Sequence, residues 1–285
     1  MKINFTKATA AGNDFVMIDY RNISFEFSIC DFVKAACDRK FGIGADGVIF
    51  IENDKDAEFL MRYFNADGSE GSLCGNGARS AAKYMSGLMN KNHLCFKAVG
   101  KIYEADIKGK EVKLFLPDLN EDIKEYDFNI DEINIHSYFI DTGSPHVVIF
   151  EELFPDKVGL EQLDVFNLGR KIRYHDLIAP GGANINFVKV LNEESIKIRT
   201  YERGVEDETL ACGTGSIASA IISRFLNKTK TPVSVFTQGG DRFEVNFNIQ
   251  QEKYSALSLE GPAIMVFDGL CFYDESLNIL SQNNS

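Results

Sequence analysis

The sequence predicts an α+β fold of two pseudo-symmetric lobes, each a mixed, mostly antiparallel, β-barrel-like sheet wrapped around a central buried helix. Three observations support this prediction: an internal repeat, short apolar runs typical of strands, and two helical segments with very few charged residues. The repeat is clearest in the tetrapeptide CGNG of residues 74–77, which returns as CGTG at residues 212–215. Each copy opens a stretch of small and apolar residues.

The repeat extends well beyond these tetrapeptides. Its matching segments are residues 11–18 with 142–149, 59–64 with 196–201, and 114–117 with 259–262. A chain of 285 residues, of which 45% are hydrophobic, can bury two cores. We predict an N-terminal lobe of residues 1–120, completed by the C-terminal segment 265–285, and a C-terminal lobe of residues 121–264.

Strands dominate the N-terminal lobe. Alternating or continuously apolar runs, separated by Gly, Asn and Asp turns, predict strands at residues 14–20, 48–52, 58–64 and 112–116. The clearest helix runs from about Gly75 to Met89, and its counterpart carries no charge over residues 216–223. A helix that is apolar on nearly every side is surrounded by protein. Each lobe is therefore expected to enclose its helix, and the two CGxG turns can then face one cleft.

The composition argues against several classes of partner. A net charge of −12 and a pI near 4.9 disfavour nucleic acids and anionic membranes, whose phosphates attract clustered Lys and Arg. No long apolar segment predicts a transmembrane helix or a signal peptide. We expect a cytoplasmic protein that acts on a small molecule. The sequence is also compatible with a homodimer.

The six cysteines differ in their settings. They are too few and too scattered for a disulfide scaffold, and no CxxC pair indicates a zinc site. Four lie among apolar neighbours and are interpreted as packing residues: Cys30, Cys37, Cys95 and Cys271. Cys74 and Cys212 are set apart because they occupy equivalent positions in the repeat.

A cysteine just ahead of a helix lies near unpaired backbone N–H groups and the positive end of the helix dipole, and both favour its thiolate. Lowering a thiol pKa from about 8.5 to about 7 takes roughly 2 kcal/mol, and a partly buried helix terminus supplies up to about 2. The flanking glycines let the backbone N–H groups approach a carboxylate. Two thiols beside one carboxylate suit inversion of the adjacent carbon, since one group removes a proton and the other delivers one to the opposite face.

The motifs around both cysteines resemble the paired signatures of the diaminopimelate epimerase family. The shared segments are NADGSE (65–70), LCGNGAR (73–79), YERG (201–204), ETLACGTG (208–215), GNDF (12–15) and ANINFV (183–188). The resemblance runs from residue 3 to about residue 270, so it covers nearly the whole chain.

This resemblance implies an isomerase that interconverts LL- and meso-diaminopimelate, for lysine and peptidoglycan synthesis, with no cofactor and no metal. It implies proton transfer by Cys74 and Cys212, with His146 near the first cysteine and Glu202 near the second. The substrate-binding residues it implies are Asn13, Asn65, Gly75, Asn76, Asn184, Glu202, Arg203, Gly213 and Thr214. An arginine can grip a carboxylate through two hydrogen bonds, and a glutamate can accept from an ammonium group.

The chain departs from the family pattern at two positions. Ser144 stands where many members carry an asparagine, and Gly47 stands where some carry a glutamine. A serine still offers one hydroxyl, whereas a glycine offers only backbone, so a side-chain contact cannot be carried over to position 47.

Other functions fit parts of the pattern. A racemase of proline, hydroxyproline or another amino acid would use the same two thiols without Glu202 and Arg203. A disulfide oxidoreductase or redox switch would show dithiol-dependent turnover with no isotope exchange, but the chain has no CxxC motif. An amino-acid-binding protein without activity would not need both thiols. The GxGxxG of residues 42–47 precedes a predicted strand instead of opening a helix, which disfavours a dinucleotide site.

Overall fold

The computed structural model describes residues 1–22, 27–250 and 253–281. The chain forms two compact units: Met1–Phe115 with Gly261–Ser285, and Leu116–Glu260. We refer to them as unit 1 and unit 2.

Strands and helices are labelled in chain order. The strands are β1 (Lys2–Ala10), β2 (Asn13–Asp19), β3 (Gly47–Glu52), β4 (Phe59–Asn65), β5 (His93–Ala98), β6 (Lys101–Lys108), β7 (Glu111–Phe115), β8 (Lys124–Ile130), β9 (Ile133–Asp141), β10 (Pro145–Phe150), β11 (Asn184–Asn192), β12 (Ser195–Glu202), β13 (Asp207–Thr209), β14 (Val233–Phe236), β15 (Arg242–Gln250), β16 (Lys253–Pro262), β17 (Ile264–Asp274) and β18 (Ile279–Ser281). The α-helices are α1 (Ile29–Cys37), α2 (Gly75–Met89), α3 (Val165–Arg173) and α4 (Gly213–Phe225). Single 3₁₀ turns span Glu151–Leu153, Pro155–Lys157, Leu160–Gln162 and Asp176–Ile178.

The strands of unit 1 follow the order β18-β17-β1-β2-β3-β4-β5-β6-β7. The pairs β2–β3 and β4–β5 are parallel, and the others are antiparallel. A parallel pair needs a crossover connection, which α1 supplies between β2 and β3 and α2 supplies between β4 and β5. Helix α2 contacts β1 to β7 and β17, so it is the central helix of this unit.

Unit 2 repeats this topology. Its order is β8-β9-β10-β11-β12-β14-β15-β16, with the short β13 paired to the end of β12. The parallel pairs are β10–β11 and β12–β14, which α3 and α4 connect. Helix α4 contacts β9, β10, β11, β12, β14 and β15. The predicted α+β class, mostly antiparallel strands around a buried helix in each half, is confirmed.

The central helices are buried along most of their length because small residues let strands approach from all sides. In α2 the buried residues run from Asn76 to Ala82, and Met85 and Ser86 follow one turn later. In α4 every residue from Gly215 to Ser223 is buried. Helix α2 ends at Met89, and the residue after it, Asn90, caps the helix with a left-handed φ of 51°.

The packing interpretation of four cysteines is correct for two of them. Cys37 and Cys271 are buried, Cys95 is half-buried, and Cys30 is exposed. For Cys30 the prediction is wrong because the buried face of α1 is formed by Phe32, Val33, Ala36 and Cys37. Position 30 therefore lies on the solvent side of the helix.

Two further features bear on the sequence predictions. Residues 42–46 form a loop that leads directly into β3, so the GxGxxG motif does not open a helix. Among the described residues, no helix is long and apolar enough to cross a membrane.

Candidate active site

Cys74 and Cys212 are the N-cap residues of α2 and α4. Each has an extended backbone, with φ/ψ of −93°/114° at Cys74 and −125°/113° at Cys212. Each sulfur accepts a hydrogen bond from the backbone N–H of the fourth residue of its motif, Gly77 or Gly215, at 3.4 Å. A side-chain acceptor at this position satisfies one of the unpaired N–H groups of the first helical turn. The same geometry favours a negative charge on each sulfur.

A side chain at the last glycine of each motif would crowd its neighbours, more severely in unit 2 than in unit 1. A Cβ on Gly77 would lie 3.1 Å from Ile49 Cδ1, and a Cβ on Gly215 would lie 2.3 Å from Asn186 Oδ1. Each of these glycines thus allows the close approach of a helix to its strands, beside the part in ligand approach that the sequence predicts. A Cβ on Gly75 would have no neighbour closer than Arg79 Nη1 at 4.0 Å, so the second position of that motif is open.

In unit 1 the helix start is joined to β2 by an amide pair. Asn76 Nδ2 donates to Asn13 Oδ1 at 2.7 Å, and Asn13 Nδ2 donates to Asp46 Oδ2 at 2.9 Å. Arg39 forms an ion pair with Asp46 at 2.7 Å. The buried Arg79 also donates to Asn76 Oδ1. The side chains of Asn13 and Asn76 are thus fixed from both sides.

Asp14 anchors the same cluster. It forms ion pairs with Lys7 and Arg39, each at 2.7 Å. Burial alone would raise the pKa of the Asp14 carboxyl, but hydrogen bonds and charge from Arg39 and Lys7 outweigh it and lower the pKa to about 2. Asp14 is therefore ionised at neutral pH and holds Arg39 in place.

Asn65 lies at the end of β4, in a tight turn. Its Nδ2 donates to Ser69 Oγ at 3.1 Å, and its backbone carbonyl accepts from Gly68 N at 2.9 Å. Gly68 has a φ of +84°, and a Cβ there would lie 2.6 Å from Cys30 Sγ. The turn at residues 66–68 therefore fixes the direction of the Asn65 side-chain amide.

In unit 2 a chain of hydrogen bonds leads from a buried histidine to the helix start. His146 Nε2 lies 3.0 Å from Ser144 Oγ, which lies 3.3 Å from Thr214 Oγ1. Thr214 Oγ1 lies 3.6 Å from Cys212 Sγ. On the other side of the ring, His146 Nδ1 lies 3.1 Å from Asn186 Nδ2. His146, which the resemblance places near the first cysteine, is therefore linked through two hydroxyl groups to the second, Cys212.

His146 is completely buried. Burial, with a smaller contribution from the positive charge of Arg203, lowers the pKa of the imidazole to about 3. The ring is therefore neutral at physiological pH, and it acts as a hydrogen-bonding group that stays uncharged across that range.

The remaining predicted residues lie at the ends of β11 and β12. Asn184 is buried, donates to Pro145 O at 3.0 Å and accepts from the backbone N–H of Arg203 at 2.9 Å. Arg203 is exposed, and Glu202 is half-buried. Burial raises the pKa of Glu202, although a hydrogen bond from Thr209 Oγ1 at 2.9 Å opposes the rise. Asn184 thus positions the backbone of Arg203, whose guanidinium faces solvent.

Position 47 has a structural explanation. A Cβ on Gly47 would lie 2.4 Å from the carbonyl oxygen of Phe64 and 2.5 Å from the ring of Tyr63. A Cβ on Gly71 would lie 2.7 Å from the other edge of the same ring. The Tyr63 ring therefore occupies the space beside both glycines, and no larger side chain fits at position 47.

Sequence reasoning missed three residues that hold the site together: Arg39, Asp46 and Asn186. Asp46 lies inside the GxGxxG segment, and a single carboxylate among glycines shows no pattern that marks it as a site residue. Asn186 lies two residues after Asn184, and this spacing on a strand places both on one face. That alternation is the signal that would have identified it.

The arrangement suits acid–base chemistry on an anion. Each unit presents a helix N-terminus, whose first N–H groups can bind a carboxylate. Beside it stands a sulfur that can hold or release a proton. In unit 1, amide side chains adjoin the start of α2, and Arg79 donates to one of them. In unit 2, two hydroxyls and one neutral imidazole adjoin the start of α4.

Comparison with known proteins identifies relatives along nearly the whole chain. The family model described as diaminopimelate epimerase matches residues 5–116 and 138–266. A diaminopimelate epimerase of Flavobacterium psychrophilum is 41% identical over 266 residues, covering 92% of this chain and 97% of that protein. The corresponding protein of Aquifex aeolicus is 38% identical over 281 residues, covering 94% of this chain and 97% of that protein.

Solved structures share the fold at low identity. A phenazine biosynthesis protein of the PhzF family from Bacillus anthracis aligns with a TM-score of 0.67 at 16% identity, covering 95% of this chain and 99% of that chain. A hydroxyproline epimerase from Agrobacterium vitis, solved with bound trans-4-hydroxy-L-proline, aligns with a TM-score of 0.66 at 11% identity, covering 99% and 94%. These two similarities establish the fold alone.

Proposed function

Because this chain belongs to the diaminopimelate epimerase family, we propose that it interconverts LL- and meso-2,6-diaminopimelate in the cytoplasm. The reaction inverts one α-carbon and serves lysine and peptidoglycan precursor synthesis. We further propose that it needs neither pyridoxal phosphate nor a metal ion, since the two cysteines supply the acid and the base.

One observation carries this proposal: Cys74 and Cys212 cap their helices through equivalent hydrogen bonds of 3.4 Å, from Gly77 N and Gly215 N. The mechanism requires one thiol on each face of the α-carbon. A thiolate on one side removes the α-proton and becomes a thiol, while the thiol on the other side gives its proton to the carbon and becomes a thiolate. In the reverse reaction the roles exchange, which accounts for two equivalent cysteine sites.

The α-proton of an amino acid is weakly acidic, so negative charge that develops on the carboxylate must be stabilised. Backbone N–H groups of Gly75, Asn76, Gly213 and Thr214 are the proposed donors, because they belong to the first turns of α2 and α4. They are held in place by the helices before the substrate arrives. Little reorganisation is then needed during proton transfer.

The second amino-acid head of the substrate distinguishes diaminopimelate from smaller amino acids. We assign its carboxylate to the exposed guanidinium of Arg203 and its ammonium group to Glu202. Asn184 supports Arg203 through the backbone hydrogen bond at 2.9 Å. Asn13 and Asn65, held by Asp46 and Ser69, are further substrate contacts in this proposal.

The decisive experiment follows deuterium. Purified protein is incubated with LL-diaminopimelate in D2O, and both α-deuterium incorporation and formation of the meso isomer are measured. We expect both in the wild type and in Cys30→Ala, which removes an exposed thiol. Cys74→Ala and Cys212→Ala should each lose epimerisation by about 10²–10⁴-fold. Full activity in both of these variants would exclude the two-thiol mechanism.

A racemase of proline or hydroxyproline is the competing function, because this chain shares its fold with a hydroxyproline epimerase. A substrate panel separates the two, because only diaminopimelate has a second head to contact Arg203. Arg203→Ala should raise KM for diaminopimelate. Turnover of proline or hydroxyproline by the wild type, without turnover of diaminopimelate, would favour the competing function.

We also propose that the protein is a homodimer. Strand β17 exposes the apolar side chains of Ile264, Val266, Phe267 and Leu270, which are 40–54% exposed. Exposed apolar patches mark protein interfaces, and these side chains are the proposed contact between the two subunits. Sedimentation velocity should give a dimer for the wild type and a monomer for Phe267→Glu. A monomeric wild type would contradict this proposal.

A further inference from the structure

The hydrogen bonds between His146 and Cys212 have a direction that the surrounding structure fixes. We call Ser144 and Thr214 the hydroxyl relay, since their hydroxyl groups lie between the imidazole and the sulfur. Asn186 Nδ2 lies 3.0 Å from the carbonyl oxygen of Val147. A carbonyl oxygen only accepts, so the nitrogen of this amide must be the atom that faces Val147.

The same nitrogen faces His146 Nδ1 at 3.1 Å, so Nδ1 is the acceptor in that contact. Asn186 Oδ1 accepts from Thr200 Oγ1 at 3.0 Å, which agrees with this orientation of the amide. Because the buried ring is neutral, its one proton lies on Nε2. Nε2–H therefore donates to Ser144 Oγ at 3.0 Å.

Once Ser144 Oγ accepts from His146, its own proton is available to Thr214 Oγ1 at 3.3 Å. The Thr214 hydroxyl then has its proton available to Cys212 Sγ at 3.6 Å, within hydrogen-bonding range for sulfur. The carbonyl of Val147 thus determines the donor in each later contact: Asn186 donates to His146, His146 to Ser144, Ser144 to Thr214, and Thr214 to Cys212.

We propose that Ser144 is a positioning residue that directs the Thr214 hydroxyl to donate to the Cys212 thiolate. Ser144 acts on the sulfur only through Thr214, and no proton travels along the relay during turnover. The relay orients a donor that stabilises negative charge on Cys212. The use of that thiolate as a base rests on the proposed function, whereas its stabilisation does not.

Unit 1 has different groups at the equivalent positions. In the repeat, residues 11–18 match residues 142–149, so Asn13 corresponds to Ser144 and Phe15 corresponds to His146. Asn76 corresponds to Thr214, and it donates its amide to Asn13 at 2.7 Å. Two amides thus stand where unit 2 has two hydroxyls, and a phenyl ring stands where unit 2 has the imidazole. Removing the Ser144 hydroxyl should therefore act on Cys212 and leave Cys74 unchanged.

The test measures the pH dependence of alkylation by iodoacetamide in full-length protein without substrate. Peptide mass spectrometry follows Cys212 and Cys74 separately. In Ser144→Ala we expect the midpoint of the Cys212 profile to move up by about one pH unit, the effect of one hydrogen bond to a charged group. Below the midpoint this is an alkylation rate about tenfold lower. The Cys74 profile should not move.

Two variants separate the hydroxyl from general packing effects. Ser144→Thr keeps the hydroxyl and should restore the Cys212 midpoint. Ser137→Ala removes another buried hydroxyl of unit 2, which donates to Tyr126 O at 3.0 Å, and it should leave both profiles unchanged. If Ser144→Ala does not fold, Thr214→Val and Thr214→Ser form the same pair one step closer to the sulfur.

The proposal is overturned if Ser144→Ala leaves the Cys212 midpoint in place, if both cysteines shift equally, or if Ser144→Thr fails to restore the profile. Because no substrate is present, these outcomes are independent of the deuterium experiment. If Ser144→Ala shifts the Cys212 midpoint but the wild type does not epimerise diaminopimelate, the relay is supported and the proposed function is rejected.

Discussion

Cys74 and Cys212 have the same relationship to their helices: each sulfur caps the first turn through a 3.4 Å hydrogen bond from a glycine N–H. The cysteines are therefore both chemical groups and structural caps. Substitution should therefore affect stability and activity separately.

Replacing Cys74 by serine should preserve the cap, because a hydroxyl is a good N-cap acceptor, while replacement by alanine should cost about 0.5–2 kcal/mol of stability. Both variants should lose epimerisation to a similar degree, since a serine hydroxyl is a poor base at neutral pH. Chemical denaturation and activity assays on both variants check this, with the Cys212 pair as a replicate. A serine variant that retains full activity would show that the thiol is not needed.

Acid should destabilise the protein through His146. In the unfolded chain this residue binds a proton below its ordinary pKa of 6.5, whereas in the folded protein it does so only below about 3. Unfolding therefore takes up a proton, and stability falls as the pH drops through 6.5, reaching its full effect near 3. A shift of this size corresponds to roughly 5 kcal/mol.

His146→Gln cannot be protonated, so its stability should fall less steeply than that of the wild type between pH 6.5 and 3. Urea denaturation at several pH values measures the two slopes. Equal slopes for wild type and variant would mean that folding does not lower the pKa of the His146 ring.

Glu202 has the opposite pH dependence. Its pKa is raised above 4.5 by burial, so the folded protein holds the proton more tightly than the unfolded chain. Stability is then highest below 4.5 and falls as the pH rises through the raised value. Glu202→Gln should therefore be more stable than the wild type at neutral pH and equal to it below pH 4.5, while it binds diaminopimelate less well. Thermal unfolding across this range measures the difference, and a neutral variant that is less stable would contradict it.

Gly47→Ala should destabilise the protein by about 1–3 kcal/mol, because the new methyl group would overlap the Phe64 carbonyl and the Tyr63 ring. Gly87→Ala is a matched control in the exposed part of α2, where a Cβ has no neighbour within 4 Å. The same methyl group there should stabilise the helix by about 0.5–1 kcal/mol. Similar effects at both positions in denaturation experiments would show that the space at Gly47 is not filled.

Local sequence patterns predicted much of the fold. The sequence predicts a helix from about Gly75 to Met89, and α2 has these bounds. The strand predicted at residues 58–64 is β4 (Phe59–Asn65). These elements are predictable because apolar periodicity and turn residues act over a few neighbouring positions. Helix α1 was not predicted, since its short apolar face follows a stretch of similar composition.

The sequence by itself determined the repeat, the strand-rich lobes, the two buried helices and the two cysteines at their starts, because each of these depends on contiguous residues. The tertiary structure alone decided how the surrounding side chains are oriented. Val147 fixes the amide of Asn186, Asn186 fixes the proton of His146, and the Tyr63 ring fills the space beside Gly47. Each of these contacts depends on strand register and on which side chains are buried together, and a linear sequence does not specify either.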